Sequence, residues 1–177
     1  MKTTPILTTP RLRLRPMTKE DLATTFAYAG TPENTEYMLF LPYRDLSEAE
    51  AELQKMEEKM EQTPQRDYFF AIERNNTHIG EISLEMNPAM TEAELGWILH
   101  RDHWGNGYMT EAALAVRDFA KNIPTLRILY AHCDSRNHAS SAIMKRLGMT
   151  QTAKGIRRNR GSQQDSEELT FTLRLQS

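Results

Sequence analysis

The sequence contains a single cysteine, Cys133, among 177 residues. One thiol excludes an internal disulfide and fits a reducing compartment. No apolar run approaches membrane-spanning length, and the N-terminus has prolines, threonines and arginines where a signal peptide has a continuous apolar stretch. A formal charge of −2 gives no electrostatic basis for general nucleic-acid binding. We therefore expect a cytoplasmic protein without nucleic-acid or membrane partners, folded as one domain over residues 1–177.

Patterns of metal ligands are also lacking. The five histidines are His78, His100, His103, His132 and His138. Their spacing does not form a metal site, and no cysteine lies near His100 or His103 to complete a zinc set. His100 and His103 lie three residues apart in a predicted loop, and we expect them to flank that loop. The sequence therefore predicts no metal cofactor.

Periodicity divides the chain into alternating strands and helices. Strands are predicted over residues 11–15, 68–72, 79–84, 93–99, 127–133 and 169–173. Helices are predicted from Thr18, from Ser47 to about Glu61, over 108–121 and over 139–147. A turn at Asn75-Asn76 joins two of the strands, and a loop with a short helix lies between residues 30 and 45. This order predicts an α/β (α+β) domain with a mixed sheet and helices on both faces.

Two glycines separate a buried strand from a long amphipathic helix. The strand Glu94–Leu99 is followed by Gly105-Asn106-Gly107-Tyr108, which opens the helix. N–H groups and the dipole at a helix N-terminus attract anions, and glycine lets a phosphate approach the backbone. The pattern indicates a phosphate site. It is not a P-loop, since no Lys-Ser/Thr follows, nor a dinucleotide fingerprint, since Thr110 stands at the third glycine position.

A second motif downstream makes the assignment more specific. Asn137-His138-Ala139-Ser140 leads into Leu147-Gly148-Met149, and Trp104–Ala112 and Leu7–Pro16 are further matching segments. Together these segments resemble the GNAT superfamily of acetyl-CoA-dependent N-acetyltransferases. The match is nearest to its RimJ/RimL-like branch, which includes the ribosomal-protein N-terminal acetyltransferases. The resemblance spans about residues 7–175.

The resemblance implies a mostly antiparallel sheet of about seven strands that splays between its fourth and fifth strands. The pantetheine arm of acetyl-CoA would lie in that cleft, with its pyrophosphate on the glycine loop. The implied cofactor-binding residues are Trp97, Ile98, Leu99, Gly105, Asn106, Gly107, Tyr108, Met109, Thr110, Asn137 and Ser140. The implied reaction transfers an acetyl group to a primary amine, on a protein N-terminus or a small molecule, by direct attack in a ternary complex.

Acetyl transfer needs a group that takes the amine proton. Glu94 is the first candidate base, because it lies on the strand expected to form one wall of the cleft. Glu92 has the same strand parity and is the second candidate. The alternative reading is that either is simply an exposed strand carboxylate.

The thiolate leaving group raises a separate question. Many relatives carry a tyrosine acid seven residues after the asparagine that corresponds to Asn137, but that position here is Met144. In the RimJ/RimL-like branch a serine three residues after the asparagine stands near the sulfur, and Ser140 matches it. Its hydroxyl can donate one hydrogen bond to the thiolate, or it can support the helix start. Asn137 likewise fits either a pantetheine amide or an N-cap.

The missing tyrosine keeps a second function open, a non-catalytic acyl-CoA-binding module with the same fold. Cys133 and His132 are not expected to act as a nucleophile–base pair, because adjacent strand residues face opposite sides. The arginines Arg157, Arg158 and Arg160 are predicted to lie in a solvated hairpin, with contact to an acidic substrate as the alternative. The sequence leaves the amine acceptor open, and also whether the protein is a monomer or a homodimer.

Overall fold

The computed structural model describes residues 4–175, so residues 1–3 and 176–177 of the predicted domain lie outside the described part. Within it, one sheet has eight strands. The strands are Leu7–Thr8 (β1), Arg13–Pro16 (β2), Asp67–Arg74 (β3), Thr77–Met86 (β4), Glu92–Leu99 (β5), Ile128–Asp134 (β6), Thr150–Arg158 (β7) and Asp165–Arg174 (β8). The α-helices are Leu22–Ala29 (α1), Pro32–Thr35 (α2), Leu46–Met60 (α3), Tyr108–Ala120 (α4) and His138–Arg146 (α5). Short 3-10 turns lie at Lys19–Asp21 and Arg101–His103.

The strands are arranged in the order β1-β2-β3-β4-β5-β6-β8-β7. Neighbours are antiparallel except for β5 and β6, which run parallel. Their pairing covers only Glu92–Glu94 against Ile128–Tyr130, although both strands continue beyond it. The predicted mixed, mostly antiparallel sheet is confirmed. The splay falls between the fifth and sixth strands rather than the fourth and fifth, because the two-residue β1 adds one strand to the count.

Helices cover both faces of the sheet, as predicted. On one face α4 and α5 pack Val116 and Met144 against strand residues such as Leu129. On the other face α1 and α3 contribute Tyr28 and Leu53 to two smaller apolar clusters. A fully buried side chain of this size stabilises a fold by about 1.5–3 kcal/mol, so both faces anchor the strands that carry the site. No helix among residues 4–175 is long and apolar enough to cross a bilayer.

The sequence patterns located most elements but not all their ends. Asn75 and Asn76 form the predicted turn with φ of 50° and 61°. Helix α3 begins after Asp45, whose carboxylate accepts a hydrogen bond from the Glu48 N–H at 2.9 Å, so the predicted cap at Ser47 is wrong. Strand β2 begins at Arg13 and leaves Arg11 in the preceding segment. Strand β7 was not delimited by the sequence.

Candidate functional site

The open edge of β5 forms one wall of the site. The Leu99 carbonyl accepts hydrogen bonds from Asn34 Nδ2 at 3.0 Å and Trp104 Nε1 at 2.8 Å. Backbone groups of alternate strand residues point to the same edge, so the N–H and C=O of Trp97 lie on this open edge too. Ile98 is paired with Glu81 of β4. The backbone of Trp97 is therefore the part of this edge that a bound chain of amides can pair with.

The glycine loop forms the second wall. Gly105 and Gly107 both have φ of +76°, a conformation that disfavours side chains with a Cβ. Gly107 is the N-cap of α4, so the first N–H groups of a 13-residue helix follow it. A Cβ at Gly105 would meet no atom within 4 Å. Asn106 braces the loop by donating from Nδ2 to the carbonyls of His103 and Trp104, at 3.2 and 2.9 Å.

The start of α5 forms the third wall. Asn137 caps the helix, and its Oδ1 accepts from the Ser140 N–H at 3.1 Å. The Trp97 indole Nε1 donates to Ser140 Oγ at 3.3 Å, which joins α5 to the edge of β5 across the splay. Because that oxygen accepts from the indole, the Ser140 hydroxyl proton is available to another acceptor.

These three walls surround a cavity of about 1050 Å³. The predicted cofactor-binding residues that line it are Trp97, Ile98, Leu99, Gly105, Gly107, Tyr108, Met109, Thr110, Asn137 and Ser140. Asn106 is not among the lining residues, because its side chain is turned into the loop. A cavity of this size accommodates an extended ligand with an anionic group at the glycine loop.

Glu94 is not among the lining residues of this cavity. It is exposed on β5 directly opposite Glu85 of β4, four residues before Ile98, which does line the cavity. Surrounding protein atoms that displace water raise the pKa of Glu94, His132 opposes the rise, and Glu85 and Glu168 add to it. A carboxyl with a raised pKa is a stronger base, so the pKa direction of Glu94 favours proton abstraction. Glu92, also exposed, lies one pleat further from the splay.

Met144 and Cys133 both belong to the apolar core rather than to the cavity. Met144 is 1% exposed and packs in the main apolar cluster, so its side chain, at the tyrosine position, does not line the cavity. Cys133 is buried in the same cluster, and burial raises the pKa of its thiol to about 11. His132 lies on the opposite face, with Nδ1 2.9 Å from Thr170 Oγ1. The prediction that Cys133 and His132 face opposite sides of their strand is confirmed.

A buried carboxylate hub, centred on Asp134, lies behind the third wall, and no sequence pattern indicates it. Asp134 is 0% exposed and accepts hydrogen bonds from the Arg136 backbone and guanidinium, Asn159 Nδ2 and Ser166 Oγ. Burial alone would raise the pKa of Asp134, but the bonds from Arg136 and Ser166 outweigh it and hold the pKa well below its usual range. Arg136 lines the cavity, so this hub positions a cation at the mouth beside Asn137.

The hairpin between β7 and β8 folds against the loop before α3. Arg157 is 7% exposed, and its guanidinium donates to the Tyr37 carbonyl at 3.1 Å and to Asn159 Oδ1 at 2.9 Å. Arg160 reaches Glu48 at 2.8 Å, whereas Arg158 is exposed beside Asp165. The predicted solvated hairpin is therefore wrong for Arg157. Its strand parity turns that side chain inward, and Tyr37 is a lining residue of the cavity.

A buried network on the α1 face was also missed. Tyr28 Oη donates to Glu81 Oε2 at 3.0 Å and lies 3.3 Å from His78 Nε2. Burial raises the pKa of Glu81 to about 7. His78 Nε2 also meets the Gly80 carbonyl at 2.9 Å. This network fixes α1 on the sheet behind Ile98.

Among residues 4–175 no group of three or more histidine, cysteine, aspartate or glutamate side chains is placed to hold a metal ion. His100 and His103 flank the glycine loop, with ring centroids 6.1 Å apart. His100 Nδ1 accepts a hydrogen bond from the Asp102 N–H at 3.2 Å, and so fixes the start of the turn before the loop.

Comparison with known proteins identifies related sequences and folds. A family model described as an acetyltransferase (GNAT) domain matches residues 11–150. An uncharacterized N-acetyltransferase of Bacillus licheniformis, p20, is 28% identical over 142 residues, or 80% of this chain and 80% of the relative. Spermidine N(1)-acetyltransferase of Escherichia coli (strain K12) is 28% identical over 142 residues, or 78% of this chain and 73% of that one. The structure of RimL, a ribosomal L7/L12 α-N-protein acetyltransferase in complex with coenzyme A, matches with a TM-score of 0.83 at 16% identity, over 97% of this chain and 98% of that one. The family match includes the glycine loop and α5.

Proposed function

The chain belongs to the GNAT acetyltransferase family, and we propose that it transfers an acetyl group from acetyl-CoA to a primary amine in a ternary complex. The observation that carries the proposal is that three segments of the chain line the same cavity. These are the open edge of β5 at Trp97, the glycine loop that opens α4, and the start of α5 at Ser140. Proximity and orientation in such a cleft lower the barrier of a bimolecular reaction by several kcal/mol.

The residues present fit coenzyme A. The glycine loop leaves space where a Cβ at Gly105 would stand, and N–H groups at the start of α4 suit a pyrophosphate. The N–H and C=O of Trp97 suit the amides of a pantetheine arm, and Asn137 and Ser140 line the same cavity. When bound, acetyl-CoA supplies an acetyl thioester.

Glu94 is the proposed base of the reaction. It takes a proton from the amine, directly or through a water, and its raised pKa strengthens it for that step. The carboxylate form is required, so activity is expected to rise with pH as Glu94 ionises. Glu92 stays the second candidate, because both carboxylates lie on the same face of β5.

Ser140 is the proposed hydrogen-bond donor to the leaving sulfur. The Trp97 indole occupies an acceptor position of its oxygen and so turns the hydroxyl proton toward other acceptors. A thiolate is a fair leaving group, with a reference pKa of about 8.5 for free cysteine, so one neutral donor is sufficient help. This assignment needs no acid at Met144, which is buried.

The acceptor is proposed as a class, a primary amine on a protein N-terminus or a small molecule. Two related proteins support that range, one named for spermidine and one for a ribosomal protein N-terminus. Glu85 and Glu168 lie close enough to Glu94 to raise its pKa, and this group of three carboxylates favours a cationic acceptor. The proposal includes a cytoplasmic location, where acetyl-CoA is available.

The test combines cofactor binding with turnover. Acetyl-CoA is expected to raise the melting temperature of the full chain in proportion to the logarithm of its concentration once binding saturates. Gly107→Leu should abolish that shift, because a side chain would fill the phosphate cradle. Gly148→Leu is the matched control, since Gly148 also has positive φ, +87°, but lies outside the cavity.

Turnover then separates the enzyme from a binding module. Release of the coenzyme A thiol is measured over a panel of amines that contains polyamines, amino acids and N-terminal peptides. Thiol release that depends on one class of amine supports the transferase. A thermal shift without amine-dependent release for any class would instead assign the chain to the non-catalytic acyl-CoA-binding alternative.

A further inference from the structure

The segment before β2 is clamped to the first turn of α4. Glu111 accepts hydrogen bonds from Thr9 Oγ1 at 2.6 Å, from the Arg11 N–H at 2.9 Å and from Arg11 Nε at 2.6 Å. Burial alone would raise the pKa of Glu111, but the bonds from Thr9 and Arg11 lower it, so the carboxylate is charged at neutral pH. The clamp joins residues about 100 positions apart and brings Arg11 to the glycine loop.

The Arg11 guanidinium lies on the glycine loop, and its Nη2 makes no hydrogen bond within the described residues. Its Nη1 donates to the Asn106 carbonyl at 2.9 Å, and its Cζ lies 4.7 Å from the centroid of the Tyr108 ring. Its Nη2 would lie 3.6 Å from a Cβ at Gly107, yet none of the hydrogen bonds among residues 4–175 uses Nη2. Arg11 also lines the cavity. The guanidinium is thus fixed by Nε and Nη1 and presents Nη2 beside the phosphate cradle.

The loop itself has little positive charge to offer an anion. Within the turn before it, Arg101 is exposed and is followed by the acidic Asp102. Burial, His100 and Arg74 lower the pKa of His103, which keeps that imidazole neutral at neutral pH. A charge-assisted hydrogen bond from a positioned arginine is stronger than one from a neutral donor. Arg11 is the cation held nearest to Gly107.

We propose that Arg11 binds the pyrophosphate of the acetyl donor through Nη2, and that Glu111 is the positioning residue that holds its guanidinium. The inference rests on the proposed function, since it assigns a further residue to the same donor site. Lysine cannot replace Arg11, because a single ammonium cannot reach the Glu111 carboxylate, the Asn106 carbonyl and a phosphate together. The N-terminal segment thereby becomes part of the donor site.

Binding of three ligands tests the proposal. The full chain is titrated by calorimetry with acetyl-CoA, with 3′-dephospho-CoA, which keeps the pyrophosphate, and with pantetheine, which has no phosphate. Arg11→Ala is expected to raise Kd for the first two ligands by about tenfold or more, the value of one charge-assisted hydrogen bond. Pantetheine should bind the variant as it binds wild type. Glu111→Gln should reproduce a smaller loss with the same ligand pattern.

The matched control is Arg13→Ala. Arg13 is 48% exposed in its side chain and pairs with Glu73, while Arg11 is 47% exposed and pairs with Glu111, but Arg13 does not line the cavity. Its Kd values should stay within twofold of wild type. Arg11→Lys guards against unfolding of the alanine variant, because it keeps the charge and most of the side chain yet should still lose most of the affinity.

Several results would overturn the assignment. If the Kd values for Arg11→Ala and Arg11→Lys lie within twofold of the Arg13→Ala values, Arg11 does not bind the pyrophosphate and only holds the N-terminal segment against α4. Equal losses for pantetheine and acetyl-CoA would give it a purely structural role, and a loss for acetyl-CoA alone would move it to the 3′-phosphate. Failure of wild type to bind acetyl-CoA would instead refute the proposed function.

Discussion

Replacing Asp134 with alanine removes the acceptor of five hydrogen bonds at the junction of β6 and α5. Asn159 is 0% exposed, so no water replaces the carboxylate as acceptor for its amide. Leaving that buried donor unsatisfied costs about 1–3 kcal/mol of folding free energy. Arg136 is half-exposed and Ser166 partly exposed, so water can replace the lost acceptor, and the loss of each partner lowers the free energy of unfolding by about 1 kcal/mol, the net value of a hydrogen bond. The expected loss is about 3–5 kcal/mol, the range for breaking a buried ion pair.

Urea unfolding of the full chain measures this loss at constant m-value. Asp118→Ala is the control, because Asp118 makes ion pairs to Arg117 and Lys121 but is 59% exposed in its side chain, and it should lose less than about 1 kcal/mol. Asp134→Asn should fall between the two, since it keeps the shape but loses the charge. A loss for Asp134→Ala no larger than that of Asp118→Ala would refute the hub as the anchor of this junction.

The pH dependence gives an independent check on the same carboxylate. Hydrogen bonds from Arg136 and Ser166 outweigh burial and lower the pKa of Asp134 in the folded state. A lowered folded pKa contributes stability above the unfolded value of about 3.9, and that stability is lost as pH falls through the folded pKa. The advantage of wild type over Asp134→Asn should therefore be full at neutral pH and shrink in acid. An advantage that stays constant down to the acid transition would contradict this account.

Three further variants test the site and the α1 face. Glu94→Gln should depress turnover at neutral pH, and its turnover should recover partly at high pH, where free amine is abundant. Glu92→Gln, on the same face of the strand, should stay near wild type. If instead Glu92→Gln loses turnover and Glu94→Gln does not, Glu92 is the base. Ser140→Ala should lower the single-turnover rate at saturating acetyl-CoA by about ten to a hundredfold. Ser141→Ala is the control and should change the rate little, because the Ser141 hydroxyl donates to the His138 carbonyl. A Ser140→Ala rate within twofold of wild type would mean that Ser140 only supports the start of the helix. Burial raises the pKa of Glu81 to about 7, so its ionisation opposes folding increasingly from the unfolded value of about 4.3 up to pH 7. Glu81→Gln should therefore gain stability relative to wild type across that window in urea titrations, and a difference independent of pH would argue against a buried, neutral Glu81.

Local patterns were sufficient where one face of an element is buried. The alternation in β6 put Cys133 and His132 on opposite faces, and the structure has Cys133 in the core with His132 against Thr170. The glycine loop was readable because positive φ and helix opening leave a mark in sequence, as at Gly107. These features depend on residues a few positions apart, so a single sequence suffices to predict them.

Other features had no such local signal. Strand β7 is exposed at nearly every position on both faces, so neither period two nor an apolar run marks it. Ser47 and Asp45 are both good N-cap residues, so the sequence pattern does not distinguish them, and only the backbone identifies Asp45 as the cap of α3. The Asp134 hub joins Arg136, Asn159 and Ser166 across 2, 25 and 32 positions. Such long-range contacts depend on the tertiary fold and are invisible to periodicity.

The short parallel ladder between β5 and β6 has a mechanical consequence. Strands β1 to β5 form one antiparallel plate, and β6, β8 and β7 form another, and the two plates share a seam of three residue pairs. This ladder is shorter than every other in the sheet except the two-pair ladder of the edge strand β1, and fewer ladder hydrogen bonds offer less resistance to bending. Flexing between the two plates is therefore expected to be concentrated at the seam. A molecule held between Trp97 and Ser140 would bridge both plates and act as a brace against that motion.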